Sequence, residues 1–170
     1  MSDPAPRPLL FLDVDGTLIP FGTPTAAGPG MSHGRREASV LPVDAHPLLH
    51  KVNPKHGRRL KAVSCDLVWA TTWMSDANDV LAPLLGLPAL PVVDWPDSDE
   101  VSVLNWKTRG LVEWAQGRPF VWVDDEISHA DQQWVSTHHH GPALLHRVDP
   151  RRGLTEHDFT VIERWLMQAR

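Results

Sequence analysis

The stretch "FLDVDGTLIP", residues 11–20, sets two carboxylates, Asp13 and Asp15, directly after an apolar run, with Gly16 and Thr17 behind them. Like charges so close raise one another's pKa and resist desolvation unless a cation or a proton sits between them. A buried strand that ends in such a pair must therefore deliver it to a place where something offsets the charge. The other segments that end at that place decide the fold and the chemistry together.

Outward from this stretch, short apolar runs alternate with longer amphipathic ones. "LLFLDV" (9–14), "CDLVWAT" (65–71), "ALPVVDW" (89–95), "PFVWVDD" (119–125) and "PALLHRV" (142–148) read as strands buried on both faces. Helical patterns occupy 46–61, 75–86, 106–117 and 127–137. A closing helix over 155–168 has Thr155 as its N-cap and Phe159, Ile162, Trp165 and Leu166 as its apolar stripe. The alternation predicts an α/β three-layer sandwich with a central parallel sheet of about five strands.

In such sheets reactive groups gather at the carboxyl ends of the strands, where Asp13, Thr71 and Asp124 all fall. "DVDGT", "TT" and "DDE" then converge, bringing up to four carboxylates near two hydroxyls. Magnesium, a hard cation that takes oxygen ligands and few protein carboxylates, answers that electrostatic problem. "LNWKTRG" sets Lys107 at the start of a helix before the fourth strand, with its ammonium in reach of the same edge.

Composition bounds the rest. A chain of 170 residues with 42% hydrophobic and 22% charged content suits one globular domain, expected over 9–170 behind a proline-rich tail at 1–8. A net charge of −5 argues against nucleic-acid binding by bulk charge but leaves room for a local patch. "KVNPKHGRRLK" (51–61) offers one, with Lys51, Lys55, Arg58, Arg59 and Lys61 and no acid. Such runs are usually solvated faces, and a phosphate-rich partner is the sharper reading. The lone Cys65 precludes a disulfide within the chain. With no signal-peptide pattern and no long apolar run, a cytoplasmic protein without a membrane partner is expected.

Four ordered motifs now stand at strand ends: "LLFLDVDGTL", Thr71 in "VWATTW", Lys107, and Asp124–Asp125 in "FVWVDDE". On these, over residues 9–125, the chain resembles the haloacid dehalogenase-like (HAD) superfamily of aspartate-dependent phosphohydrolases. The resemblance implies a Rossmann-like sheet and a magnesium ion. It makes Asp13 the nucleophile that forms an aspartyl-phosphate and Asp15 the general acid and then base. Thr71 would hydrogen-bond a phosphoryl oxygen and Lys107 would offset charge, while Gly16, Thr17 and Thr72 would lie beside the phosphate. The metal would be held by Asp13, the backbone carbonyl of Asp15 and an acid of the fourth motif, with both Asp124 and Asp125 as candidates. Within the superfamily that the chain resembles, an acid at Asp15 favours a phosphatase or phosphotransferase over a dehalogenase or a transport ATPase.

The resulting expectation is a magnesium-dependent phosphomonoester hydrolase. The alternatives are a polynucleotide or phosphoprotein phosphatase, and a regulatory protein that keeps the fold but turns nothing over. Substrate size bears on the choice. Met74 to Trp106 is too short for a cap domain, and residues 21–38, rich in Gly, Pro, Ser and Thr, read as a flap with "TLIPF" and "ASVLPV" as hairpin arms. A capless, open site is also similar to the HAD-like domains of RNA-repair proteins. Trp69 and Trp122 read as core and Trp73 as site rim, where base stacking is one use. His138, His139 and His140 read as a polar loop rather than a metal site.

Overall fold

The structure, a computed structural model, describes residues 5–22, 48–95 and 101–169. The expected flap beyond Gly22, and the arm "ASVLPV" with it, lies outside the described residues. Four parallel strands form the sheet: β1 (Leu9–Leu12), β2 (Asp66–Trp69), β3 (Phe120–Asp124) and β4 (Ala143–Arg147), in the order β2-β1-β3-β4. β1 is central, with Phe11 in register between Val68 and Trp122. A central parallel strand has no wet face, which is why "LLFL" is a continuous apolar run and not an alternating one.

Successive side chains of β1 feed opposite layers. Leu10 and Leu12 join Leu60, Leu85, Phe159, Ile162 and Leu166 in one core cluster. These come from α1 (Lys55–Ala62), α2 (Ala82–Leu85) and α5 (Glu156–Gln168). Leu9 and Phe11 join Leu111, Ala115 and Val135 in the other cluster, under α3 (Thr108–Ala115) and α4 (His129–His138). The α/β sandwich is thus helices on both faces of one parallel sheet. Trp69 and Trp122 are fully buried in it. No helix among the described residues is long and apolar enough to cross a membrane.

The sheet is one strand smaller than expected. Residues 89–95 make a single parallel bridge, Trp69 to Val92, through Trp69 N to Pro91 O (2.8 Å) and Val93 N to Trp69 O (3.0 Å). Pro88 and Pro91 have no N–H to donate, so the ladder does not extend. Proline also divides the expected helix at 46–61. A 3₁₀ turn, Leu49–Lys51, comes first, and α1 starts only after Pro54. Ahead of α2 the chain makes a π-helical turn, Ala77–Leu81, tied down by Asn78, which accepts from Trp69 Nε1 and Leu90 N and donates to Leu90 O, each at 2.8 Å.

α5 begins where its cap predicts. Thr155 accepts from the amide of Asp158, whose carboxylate accepts back from the Thr155 amide. The same Asp158 pairs with His146 of β4 at 2.7 Å. Burial pushes the Asp158 carboxyl up, but the hydrogen bonds from Thr155 and His146 outweigh it and hold it below the usual carboxylate range. The basic run contributes to this layer too: Arg59 bridges Glu156 (3.1 Å) and Glu163 (2.9 Å) and lies over Phe159. At the other end of the basic run, Lys51 donates to Gly22 O at 3.2 Å.

Of the three histidines expected in a loop, His138 ends α4 stacked on Trp134, and His139 is turned inward against Phe120. Its ring Nε2 lies 3.0 Å from Arg118 O, which satisfies the buried imidazole without a metal. At the opposite end of the chain, Arg7 pairs with Asp66 and donates to Cys65 O, and Pro8 O accepts from Asp66 N.

α1 packs on α2 through Gly57, where a Cβ would stand 1.7 Å from Leu85 O. Gly57→Ala is expected to force the two helices apart and destabilise the protein by about 1–3 kcal/mol. A urea unfolding midpoint equal to that of the wild type would contradict this packing.

Candidate active site

β1 ends in a tight turn built on one carbonyl. Val14 O accepts from the amides of Thr17, Leu18 and Ile19 at 3.1, 2.9 and 3.0 Å. Gly16 makes the turn at φ +78°, a conformation open to glycine. Its missing side chain matters as much as its backbone, because a Cβ there would fall 2.3 Å from Asp125 Oδ2. The glycine thus lets the carboxylate that follows β3 close over the turn that follows β1.

Asp13 leaves the end of β1 buried. Its Oδ1 accepts from Lys107 Nζ at 2.7 Å and its Oδ2 from Thr17 Oγ1 at 3.3 Å. The same ammonium reaches Asp124 Oδ2 at 2.6 Å. Asp124 is fully engaged, since Oδ2 also accepts from Trp122 Nε1 (3.2 Å) and Oδ1 from the amide of Glu126 (3.0 Å). Asp125 differs from it. No other described residue donates to its carboxylate, and Arg147 Nε binds only its backbone carbonyl, at 3.1 Å.

Lys107 immediately precedes α3, and its placement depends on α4. Asp131 accepts through Oδ1 from Asn105 N (2.8 Å) and Thr108 Oγ1 (2.6 Å), and through Oδ2 from Ser128 N (2.8 Å) and Ser128 Oγ (2.6 Å). Asn105 Oδ1 in turn accepts from the Lys107 amide at 2.9 Å. Burial would raise the Asp131 carboxyl, but these donors hold it below its ordinary value, so it stays an anionic clamp on both sides of Lys107. Sequence reading passed over Asp131. The Ser128-x-x-Asp131 spacing was the available signal, since it forms the capping box of α4.

The remaining candidates take different places. Thr71 is buried just past β2, its Oγ1 accepting from Trp73 N at 3.2 Å, whereas Thr72 is exposed. Asp15 is partly buried, and its Oδ2 accepts from Trp73 Nε1 at 3.0 Å. The structure therefore gathers Asp13, Thr17, Lys107, Asp124 and Asp125 tightly, with Gly16 against Asp125 and Trp73 linking the Thr71 segment to Asp15. Two indole donors, Trp73 to Asp15 and Trp122 to Asp124, add contacts that the core and rim readings of these tryptophans did not contain.

Three buried carboxylates cluster about one ammonium, which pairs with two of them, Asp13 and Asp124. Burial drives the Asp13 carboxyl up to about 7; Lys107 pulls it down and Asp124 pushes it up again. Burial, then the neighbouring Asp124, raises Asp125 to about 6. Desolvation works to lower Lys107, and its two carboxylates overcome that and raise it. Asp13, Asp124 and Asp125 each offer an oxygen within 4.8 Å of the others. An all-oxygen donor set with excess negative charge, including one carboxylate without a donor from another described residue, fits a hard divalent cation such as magnesium.

Two outcomes follow from that charge excess. An acid whose pKa is raised on folding stabilises the fold below its unfolded value, and that contribution is lost as pH rises through the folded value. Without divalent ions, the Asp13 and Asp125 contribution should therefore be present below about pH 4 and gone by about pH 7. Magnesium should then raise Tm more at pH 8 than at pH 5, and a magnesium shift equal at both, or larger at pH 5, would contradict the cluster. Gly16→Ala, which forces the Asp125 carboxylate out, should remove most of the magnesium-induced Tm shift in the same assay; an undiminished shift would show that Asp125 is not involved.

Comparison with known proteins gives the family. The family described as the HAD domain in Swiss Army Knife RNA repair proteins matches residues 9–159, which includes every strand of the sheet and all four motifs. No curated protein and no solved structure matches the chain. The match covers most of the sequence, and the chain belongs to the haloacid dehalogenase-like hydrolases, in the family of HAD domains found in Swiss Army Knife RNA repair proteins.

Proposed function

We propose that the protein is a magnesium-dependent phosphomonoester hydrolase that works through a covalent phosphoryl-Asp13. The observation that carries this reading is the arrangement Asp13–Lys107–Asp124, with the carboxylate of Asp125 beside it and no other described residue donating to it. A metal-only binding site would have no use for a buried lysine, which repels the cation. A nucleophile that must stay ionised while buried does need one.

On this reading Lys107 offsets part of the cost of burying Asp13 as an anion, the bound cation would offset the rest, and Lys107 and Thr17 orient Oδ1 and Oδ2 before substrate arrives. Asp13, the Asp15 carbonyl and the Asp125 carboxylate would hold the magnesium ion, which supplies charge stabilisation for the transferring phosphoryl group. Asp124 acts through Lys107 in this assignment, because its own oxygens are engaged. Asp15 donates a proton to the leaving oxygen and later takes one from water. Trp73 holds Oδ2 of Asp15, and Oδ1 would carry that proton. The Thr71 hydroxyl and the amides of the Gly16–Thr17 turn would contact the phosphoryl oxygens.

The substrate class we favour is a phosphorylated nucleic-acid end, on the strength of the family's description as a domain of RNA repair proteins. The basic run gives this less support than its composition suggests, because Arg59 is engaged by Glu156 and Glu163.

Asp13→Asn should abolish magnesium-dependent release of phosphate, and Asp15→Asn should lower kcat about 10²–10⁴-fold. Steady-state assay on a 3′-phosphorylated oligonucleotide and on β-glycerophosphate tests both; wild-type rates in Asp13→Asn would end the proposal.

A further inference from the structure

Three tryptophans are each tied to a motif segment. Trp73 donates its indole N–H to Asp15. Trp95 donates to Thr71 O at 3.4 Å and lies against α3 at Gly110, where a Cβ would come within 3.0 Å of its ring. Trp106 packs edge-to-face with Trp95, ring centres 4.9 Å apart at 75°. Trp106 is 51% exposed although it adjoins the buried Lys107. Lys107 Nζ lies 5.4 Å from the Trp106 ring centre and 2.7 Å from Asp13 Oδ1, which puts the ring roughly 8 Å or less from the nucleophile.

From these contacts we infer that Trp106, propped by Trp95, is a stacking platform for the terminal base of a nucleic acid whose end phosphate lies on Asp13. Leaving an indole half in water beside a reaction centre forgoes burial that the fold could otherwise use. The N–H groups of Trp73 and Trp95 are occupied by protein acceptors, so this wall offers ring surface and few donors. Ring surface suits a planar, unsaturated partner and reads no base edge, so the platform is indifferent to base identity. The separation suits the base of the same nucleotide that carries the phosphate. A cavity of about 510 Å³ opens beside Trp106, lined also by Arg109, Ser128 and the acids Glu126 and Asp131.

This inference rests on the nucleic-acid reading above, and its test separates the two. Binding is measured by fluorescence anisotropy with Ca²⁺ in place of Mg²⁺, using a 3′-phosphorylated oligonucleotide and the same oligonucleotide with an abasic terminal residue. The wild type should bind the base-bearing end about ten-fold more tightly, the scale of one base on one indole. Trp106→Ala should erase that preference and Trp106→Phe should keep most of it, with all four terminal bases bound alike. Equal binding of the two ends by wild type, a preference that survives in Trp106→Ala, or tighter Trp106-dependent binding of a phosphoserine peptide would overturn the inference. Phosphate release from the same oligonucleotides in Mg²⁺ reports on the hydrolase reading alone.

Discussion

A single ammonium held between two buried carboxylates sets the terms for everything around it. Lys107 at 2.7 Å from Asp13 and 2.6 Å from Asp124 joins the ends of two adjacent strands through a residue from a helix start. Removing one member of a buried charged group leaves the others unpaired at a cost of several kcal/mol. The surroundings show what such a cluster demands. β1 and β3 are buried throughout, Trp122 and the Glu126 amide complete Asp124, and Asp131 binds the loop that carries Lys107 from both sides. Even so, one positive charge among three carboxylates leaves the cluster under-compensated, and burial first, then the neighbouring Asp124, raises the Asp13 and Asp125 carboxyls.

The unbalanced charge has a direction. Asp124 is enclosed by donors, so the surplus lies toward Asp125 and the Gly16 turn, where a backbone without a Cβ lets a carboxylate approach. A cation bound there and a substrate phosphate are mutually supportive, each supplying the charge the other needs. Trp73 donates to Asp15, so the two carboxylates of the opening motif have different partners. One pairs with a lysine and the other with an indole. Dissimilar environments for two nearby acids are the physical basis for giving them different roles.

Much of the fold could be read from the sequence because its determinants are local or periodic. Central strands announced themselves as unbroken apolar runs, and Thr155 marked the start of α5 through a cap three residues long. Where the reading missed, proline decided: Pro88 and Pro91 reduce the fifth strand to one bridge, and Pro54 delays α1. The convergence of Asp13, Lys107 and Asp124 was legible because strand ends in a parallel sheet share one edge. Which acid of the Asp124–Asp125 pair keeps an open lone pair was not, since that depends on an indole and an amide turning toward one of them. Asp131 shows the same limit. Its capping box is local, but the contact that matters reaches Asn105, 26 residues away.

The most direct measurement is chemical identification of the phosphorylated residue. Protein mixed with a phosphorylated substrate and Mg²⁺, quenched in acid and reduced with borohydride, should carry homoserine at position 13 alone, because reduction of an acyl phosphate converts that aspartate to the alcohol. The label should disappear when Mg²⁺ is withheld or Lys107 is replaced by Met. Phosphate release with Asp13 unmodified at every quench time, or modification of a different carboxylate, would contradict the account.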